Sequence, residues 1–272
     1  MRTKILDTLV EIPGDTASDA SSTLAASTKP NSAPIAGAYP SLMHFVLVHG
    51  AYHGAWCWDQ LRAELERGGH ASTAVDLPCD DPDAGAERYV DEVLHAIPKQ
   101  PDAVVMVGHS LAGLTIPIAA SRVRTAMTIY LCAVLPVPGL SFDAQHAESG
   151  TGFQPSEPAI GHDDGSASWP ERGAIEIFFH DCIPEVAQAA ARQLRPQYWK
   201  ITQEVTPLRQ WPPVPAAYIV CTDDRMVSPN YGRLAARRQL GVDPIELPGG
   251  HSPFLSRPRV LAQALVRAAS RS

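Results

Sequence analysis

From Phe45 onward, short continuous apolar runs alternate with amphipathic ones. FVLVHG is apolar throughout and closed by a glycine, which predicts a strand buried on both faces. WCWDQLRAELERGG places Trp56, Leu61 and Leu65 on one face and stops at Gly68 and Gly69, the pattern of a helix. The same alternation gives a second strand over His70–Leu77, a helix over Ala84–Ile97, a third strand over Ala103–His109 and a helix from SLAGLTIPIAASRV. A fourth strand follows over Ala126–Val134. Regular β-α alternation of this kind implies an α/β fold with a mostly parallel sheet, right-handed crossovers and flanking helices.

The alternation lapses between residues 136 and about 213, where Pro, Gly and acidic residues precede EIFFHDCIPEVAQAAARQLRPQYW, whose last part reads as helical. It resumes with a strand at Ala216–Thr222, a helix near Tyr231–Leu240, the run PIELPGG and a final helix, RVLAQALVRAAS. The chain therefore divides into a core made of residues 42–139 and 214–272 and an insertion, 140–213, placed over the sheet. Residues 1–41 are rich in Ser, Thr, Ala and Pro and carry no hydrophobic period, so a loosely attached tail is expected there. They hold no apolar stretch of the kind a signal peptide needs, early acidic residues (Asp7, Glu11, Asp15) oppose a transit peptide, and Met43 offers an alternative start.

Composition narrows the function classes. Hydrophobic residues make up 45% and charged residues 19%, ordinary for a globular enzyme, and the net charge of −7 opposes nucleic-acid binding. No run approaches the roughly 18 apolar residues that span a bilayer. The five cysteines (Cys57, Cys79, Cys132, Cys182, Cys221) form no CxxC pair, zinc pattern or disulfide framework, so a reducing, cytoplasmic setting is expected.

The candidate chemistry begins at Gly108-His109-Ser110-Leu111-Ala112-Gly113, which follows a strand and opens a helix. A serine on such a turn has its hydroxyl exposed in strained geometry, the context of a nucleophile elbow. Ala112 stands where the usual motif has Gly, and the plain alternative is a helix-capping serine. A serine nucleophile needs a base oriented by an acid, in the chain order Ser, acid, His. Of the ten histidines His251 fits that order, following the last strand-like run. The acid is Asp223 or Asp224, just after AAYIVCT, and spacing does not choose between them. Backbone N–H groups of Leu111 and Ala51 would form the oxyanion hole, with Gly50 allowing the turn after the first strand. His109 is expected at the substrate. No metal or organic cofactor is called for.

These segments resemble a known family. FVLVHGAYHGAWCWDQL and GHSLAG look like the opening and elbow of the plant methyl esterase and hydroxynitrile lyase group and of related bacterial esterases, including pyrethroid-hydrolysing ones. YIVCTDDRMVSP resembles the family's strand-acid segment, whose second acidic position is catalytic and maps to Asp224, and LPGGHSPFLSRP resembles the bacterial His segment. The likeness covers about residues 43–139 and 215–268. It implies an α/β-hydrolase fold with a small helical cap, whose sheet lacks the first two strands of larger members. Hydroxynitrile lyases of this type carry Lys after the catalytic His, where this chain has Ser252, which argues against cyanohydrin cleavage. Tyr52 stands where many relatives have a smaller residue, which implies a substrate-side role in which its phenol narrows the pocket or hydrogen-bonds a substrate.

The expected reaction is two-step acyl transfer on a small ester, with Ser110 attacking and His251 moving the proton. The insertion's aromatic residues (Phe142, Phe153, Trp169, Phe178, Phe179, Tyr198, Trp199, Trp211) suit an apolar or aromatic substrate, though for any single one of them cap packing is the favoured account. A lactonase, thioesterase or C–C hydrolase would use the same triad. A ligand-binding protein with little turnover is the alternative of a different class. The expected partner is a small-molecule ester, not nucleic acid or membrane, and a homodimer is left open.

Overall fold

The computed structural model describes residues 42–99, 103–149, 156 and 158–270. The tail expected over 1–41 and Phe153 lie outside these residues.

Strand β1 (His44–Val48) runs parallel to both β2 (Ala71–Val75) and β3 (Val104–His109), and β4 (Met127–Leu131), β7 (Ala216–Cys221) and β8 (Ile245–Leu247) extend the sheet in the order β2-β1-β3-β4-β7-β8. Every neighbouring pair in this sheet is parallel. Among the described residues the sheet starts with β1. Strand order reverses beside β1, so the loops leaving β1 and β3 diverge at a topological switch point, where open α/β sheets bind ligands. The register pairs Val48 with Gly108, so both strands end level and their loops emerge side by side.

Helices cover both faces. Helix α1 (Asp59–Arg67), entered through a 3-10 turn at Ala55–Trp58, and α10 (Pro258–Ala269), preceded by the short α9 (Pro253–Ser256), pack on one side. On the other lie α2 (Ala86–Ala96), α3 (Ile116–Ala120) and α8 (Pro229–Ala235), which continues as a π-turn over Ala236–Leu240. Alternate residues of each strand enter opposite cores: Phe45, Leu47, Val105, Val107, Ile129 and Leu131 face α1 and α10, whereas Val46, Val48, Met106 and Tyr130 face α2 and α3. This two-sided burial is why the strands read as continuous apolar runs. Each fully buried Phe, Leu or Val contributes about 1.5–3 kcal/mol to stability.

The helix expected from Ser110 through Val123 is two pieces. A 3-10 turn covers Ser110–Leu114, and α3 begins only at Ile116. Pro117 is the reason: it has no N–H to continue the ladder, and it sits instead in the first turn of α3, where none is needed.

Residues 140–213 hold α4 (Phe142–Ser149), a two-stranded antiparallel pair of β5 (Ile160–Gly161) and β6 (Ala167–Ser168), then α5 (Glu171–Phe178), α6 (Pro184–Ala191) and α7 (Lys200–Gln203). The β5–β6 pair was not anticipated, because two-residue strands leave no period to read. No helix among the described residues is long and apolar enough to cross a membrane.

Candidate active site

Strand β3 delivers Ser110 into a sharp turn. Its φ is +52°, a left-handed conformation that costs an ordinary L-residue on the order of 1–2 kcal/mol. Packing compels it. The N–H of Val134 donates to the Ser110 carbonyl at 3.1 Å, and a methyl on Gly113 would overlap the Val134 carbonyl oxygen. The loop after β1 approaches as closely: a Cβ on Gly50 would lie 2.7 Å from that of Ser110. Glycine is therefore required at both positions for the β1 loop, the elbow and the end of β4 to meet. Ser110 retains 6% exposure, so it is buried.

The loops after β7 and β8 bring the other two candidates together. His251 donates from Nδ1 to Asp224 Oδ2 at 2.8 Å, and both side chains are buried. The other oxygen, Asp224 Oδ1, accepts the N–H groups of Met226 and Val227 at 2.8 and 2.9 Å. Three donors thus hold the carboxylate in one orientation. Asp223, the alternative in sequence, is exposed and accepts from Gly249 N–H at 3.2 Å. The geometry pairs Asp224, not Asp223, with the imidazole. With Nδ1 committed as a donor, Nε2 of a neutral His251 is free to accept a proton.

Leu111 is the second residue of the 3-10 turn that Ser110 opens, where backbone N–H groups have no intrahelical acceptor. Ala51 sits in the adjoining loop from β1, one residue past the Gly50 contact with Ser110. A cavity of about 310 Å³ opens beside Leu111, lined also by Phe142, Asp143, His146, Trp199, Thr202 and Gln203. Its walls are apolar at Leu111, Phe142 and Trp199 and polar at Asp143, His146, Thr202 and Gln203.

The two residues expected at the substrate are both buried. His109 is fully buried and donates from Nε2 to the His251 carbonyl at 2.9 Å, its ring 4.5 Å from the His251 ring. Burial, then the neighbouring histidines, pushes its pKa well below the usual range, so it stays neutral and holds the His251 backbone. Tyr52 is likewise buried, its ring against Trp169, Phe178 and Trp199, and it does not line the cavity at Leu111. Its backbone, with φ +66°, shapes the loop that carries Ala51.

Sequence reasoning passed over three features. Cys132, ending β4 with φ +47°, lies so that one ligand atom each from it, Asp224 and His251 fall within 4.8 Å of one another. Arg195 and Gln197 reach from the 140–213 region to the loop after β1. Asp181, also from that region, accepts from Gly250 N–H at 2.8 Å and from Arg257 at 2.6 Å, clamping the turn that bears His251. No local pattern marks any of them; only strand order and chain crossing bring them to the site.

Comparison with known proteins agrees with this architecture. The model of the Alpha/beta hydrolase family matches residues 45–264. Norfluorocurarine synthase 2 of a Strychnos species is 28% identical over 251 residues, covering 82% of this chain and 94% of that protein. Methylesterase 17 of Arabidopsis thaliana is 28% identical over 257 residues, covering 83% of this chain and 91% of that protein. Among solved structures, a pyrethroid hydrolase from Sphingobium faniae JZ-2 superposes with a TM-score of 0.71 at 24% identity, covering 84% of this chain and 98% of its own, a likeness of fold.

Proposed function

This chain belongs to the alpha/beta hydrolase family, and from that premise we propose that it is a carboxylic ester hydrolase acting through an acyl-enzyme on Ser110. One observation carries the reading: a buried Asp224–His251 pair bonded at 2.8 Å, on the same sheet end as a serine held at φ +52°. Asp224 keeps the His251 proton on Nδ1, so Nε2 takes the proton of Ser110 as its oxygen attacks the ester carbonyl. The carbonyl oxygen becomes an anion stabilised by the Ala51 and Leu111 N–H groups. Collapse expels the alcohol, which receives the proton from His251. Water, deprotonated by His251, then attacks the acyl-enzyme, and release of the acid restores the serine.

The cavity of about 310 Å³ is at the small end of the range for small-molecule pockets, and its Leu111, Phe142 and Trp199 walls favour a compact apolar or aromatic ester. The methylesterase and pyrethroid hydrolase among its relatives and fold neighbours support ester chemistry. Residues 140–213 act as the cap over the site. All five cysteines are free thiols, which supports a cytoplasmic setting.

The test is turnover of short-chain p-nitrophenyl esters and aromatic methyl esters by wild type and Ser110→Ala. Loss of the nucleophile should reduce kcat by several orders of magnitude, on the order of a millionfold at the extreme. Equal rates for the two proteins, or inertness of wild type towards every ester tried, would sink the proposal and direct attention to ligand binding.

A further inference from the structure

We propose that Arg195 and Gln197, both outside the sheet core, are positioning residues that aim the Ala51 N–H at the developing oxyanion. The inference rests on the ester-hydrolase reading and extends it to the construction of the oxyanion hole.

The argument is an account of the backbone groups after β1. The Gly50 carbonyl accepts from His49 Nδ1 at 2.8 Å, while His49 Nε2 accepts from Leu77 N–H, so that ring is held at both nitrogens. The Ala51 carbonyl accepts from His53 Nδ1 at 2.8 Å. Tyr52 N–H donates to Gln197 Oε1 at 3.2 Å, and the Tyr52 carbonyl accepts from the Arg195 backbone N–H at 2.8 Å. The His53 carbonyl accepts from the Arg195 guanidinium, Nε at 3.3 Å and Nη2 at 3.1 Å. All four carbonyls from Gly50 to His53 are thus pinned, two of them by Arg195. A loop with Tyr52 at φ +66° does not hold itself there, because the conformation is unfavourable for a tyrosine.

Each pinning residue is itself anchored. The Arg195 fork also reaches the Leu77 carbonyl at 3.0 Å and Asp76 at 3.1 Å, both just past β2. Gln197 is fully buried and donates from Nε2 to Tyr89 Oη at 3.1 Å and to the Tyr198 carbonyl. Its backbone pairs with Ala167, at 3.0 and 2.9 Å. One short segment therefore ties the β1 loop to β2, α2 and the β5–β6 pair. An oxyanion donor works only if it is already in place when charge develops, and a displacement of about 1 Å can cost 10²-fold in rate.

The experiment uses the full chain as wild type, Arg195→Lys and Arg195→Ala, with p-nitrophenyl acetate as substrate and a benzyl trifluoromethyl ketone as inhibitor. The ketone adds to the serine and places an anionic oxygen where the oxyanion forms. We expect kcat to fall by about 10- to 100-fold in Arg195→Ala with KM within about threefold of wild type, and the inhibition constant of the ketone to rise in parallel. Millimolar guanidinium should restore part of the kcat of Arg195→Ala. Arg195→Lys keeps a charge beside Asp76 but loses the second, Nε contact with the His53 carbonyl; with an unchanged melting temperature it should still lose kcat. A folded Arg195→Lys or Arg195→Ala with wild-type kcat, or a kcat loss with unchanged ketone affinity, overturns the proposal. Failure of the ester-hydrolase reading looks different: Ser110→Ala then turns over substrate as fast as wild type.

Discussion

Replacing Asp224 by Asn tests whether the acid works by fixing the tautomer of His251. The outcome follows from two backbone bonds. Asp224 Oδ1 accepts from Met226 and Val227 at 2.8 and 2.9 Å, so an amide NH2 in that place would face two donors. Losing two hydrogen bonds to a charged group costs about 1.5–3 kcal/mol each, so the amide oxygen takes that side and the NH2 points at His251 Nδ1. The NH2 is a donor, and a neutral imidazole must then carry its proton on Nε2, where it cannot take one from Ser110. Populating the working tautomer would set two N–H groups against each other across a gap that is 2.8 Å in the native pair. By analogy with triads in general, kcat should fall about 10⁴-fold, which corresponds to about 5.4 kcal/mol. The assay is steady-state hydrolysis of p-nitrophenyl acetate, with Asp223→Asn as the internal control, since Asp223 is exposed and faces Gly249. The control should keep kcat within about threefold of wild type. If Asp224→Asn retained more than about a tenth of wild-type kcat, or Asp223→Asn were the more damaged, the tautomer argument would be refuted.

Acid should weaken the fold through buried neutral histidines. Burial lowers the His53 pKa to about 3, so between that value and 6.5 the unfolded chain binds a proton that the folded chain does not, and stability is lost as pH falls through this window. Urea unfolding at several pH values should give a slope of about 1.4 kcal/mol per pH unit for each such histidine, and His53→Gln should flatten it by about one proton; an unchanged slope would contradict the burial argument. Gly113→Ala drives a methyl into the Val134 carbonyl and should destabilise by about 1–3 kcal/mol, read as a lower melting temperature. A variant as stable as wild type would show that the elbow has more room than the contact implies. Tyr218→Phe removes the buried donor to the Ala133 carbonyl and should cost about 1–3 kcal/mol in chemical denaturation. A neutral result would mean that the carbonyl finds another donor.

Much of this protein is written in its sequence because local rules decide it. Strands buried on both faces must be apolar along their length, so β1, β3, β4 and β7 stand out in FVLVHG, AVVMVGH, AMTIYLCAV and AAYIVCT. A parallel sheet needs helical crossovers, so the alternation carried the fold class, and the order of Ser110, an acid and His251 carried the candidate chemistry. What lay beyond reach depends on contacts between segments distant in sequence. Asp223 and Asp224 are adjacent, and only the turn after β7 decides that Asp224 meets His251 while its neighbour faces water. Pro117 split a helix that periodicity read as one, because apolar spacing carries no record of a missing N–H. Tyr52 and His109 were placed at the substrate from their proximity in sequence to Ala51 and Ser110. The folded chain buries both, Tyr52 against Trp169, Phe178 and Trp199 and His109 on the His251 carbonyl. Arg195 and Gln197 reach the loop after β1 across more than 140 residues, a separation at which no sequence pattern survives. The identity of the elements followed from each segment's own need to bury apolar surface; the identity of the partners followed from where the sheet's strand order set the ends of those segments down.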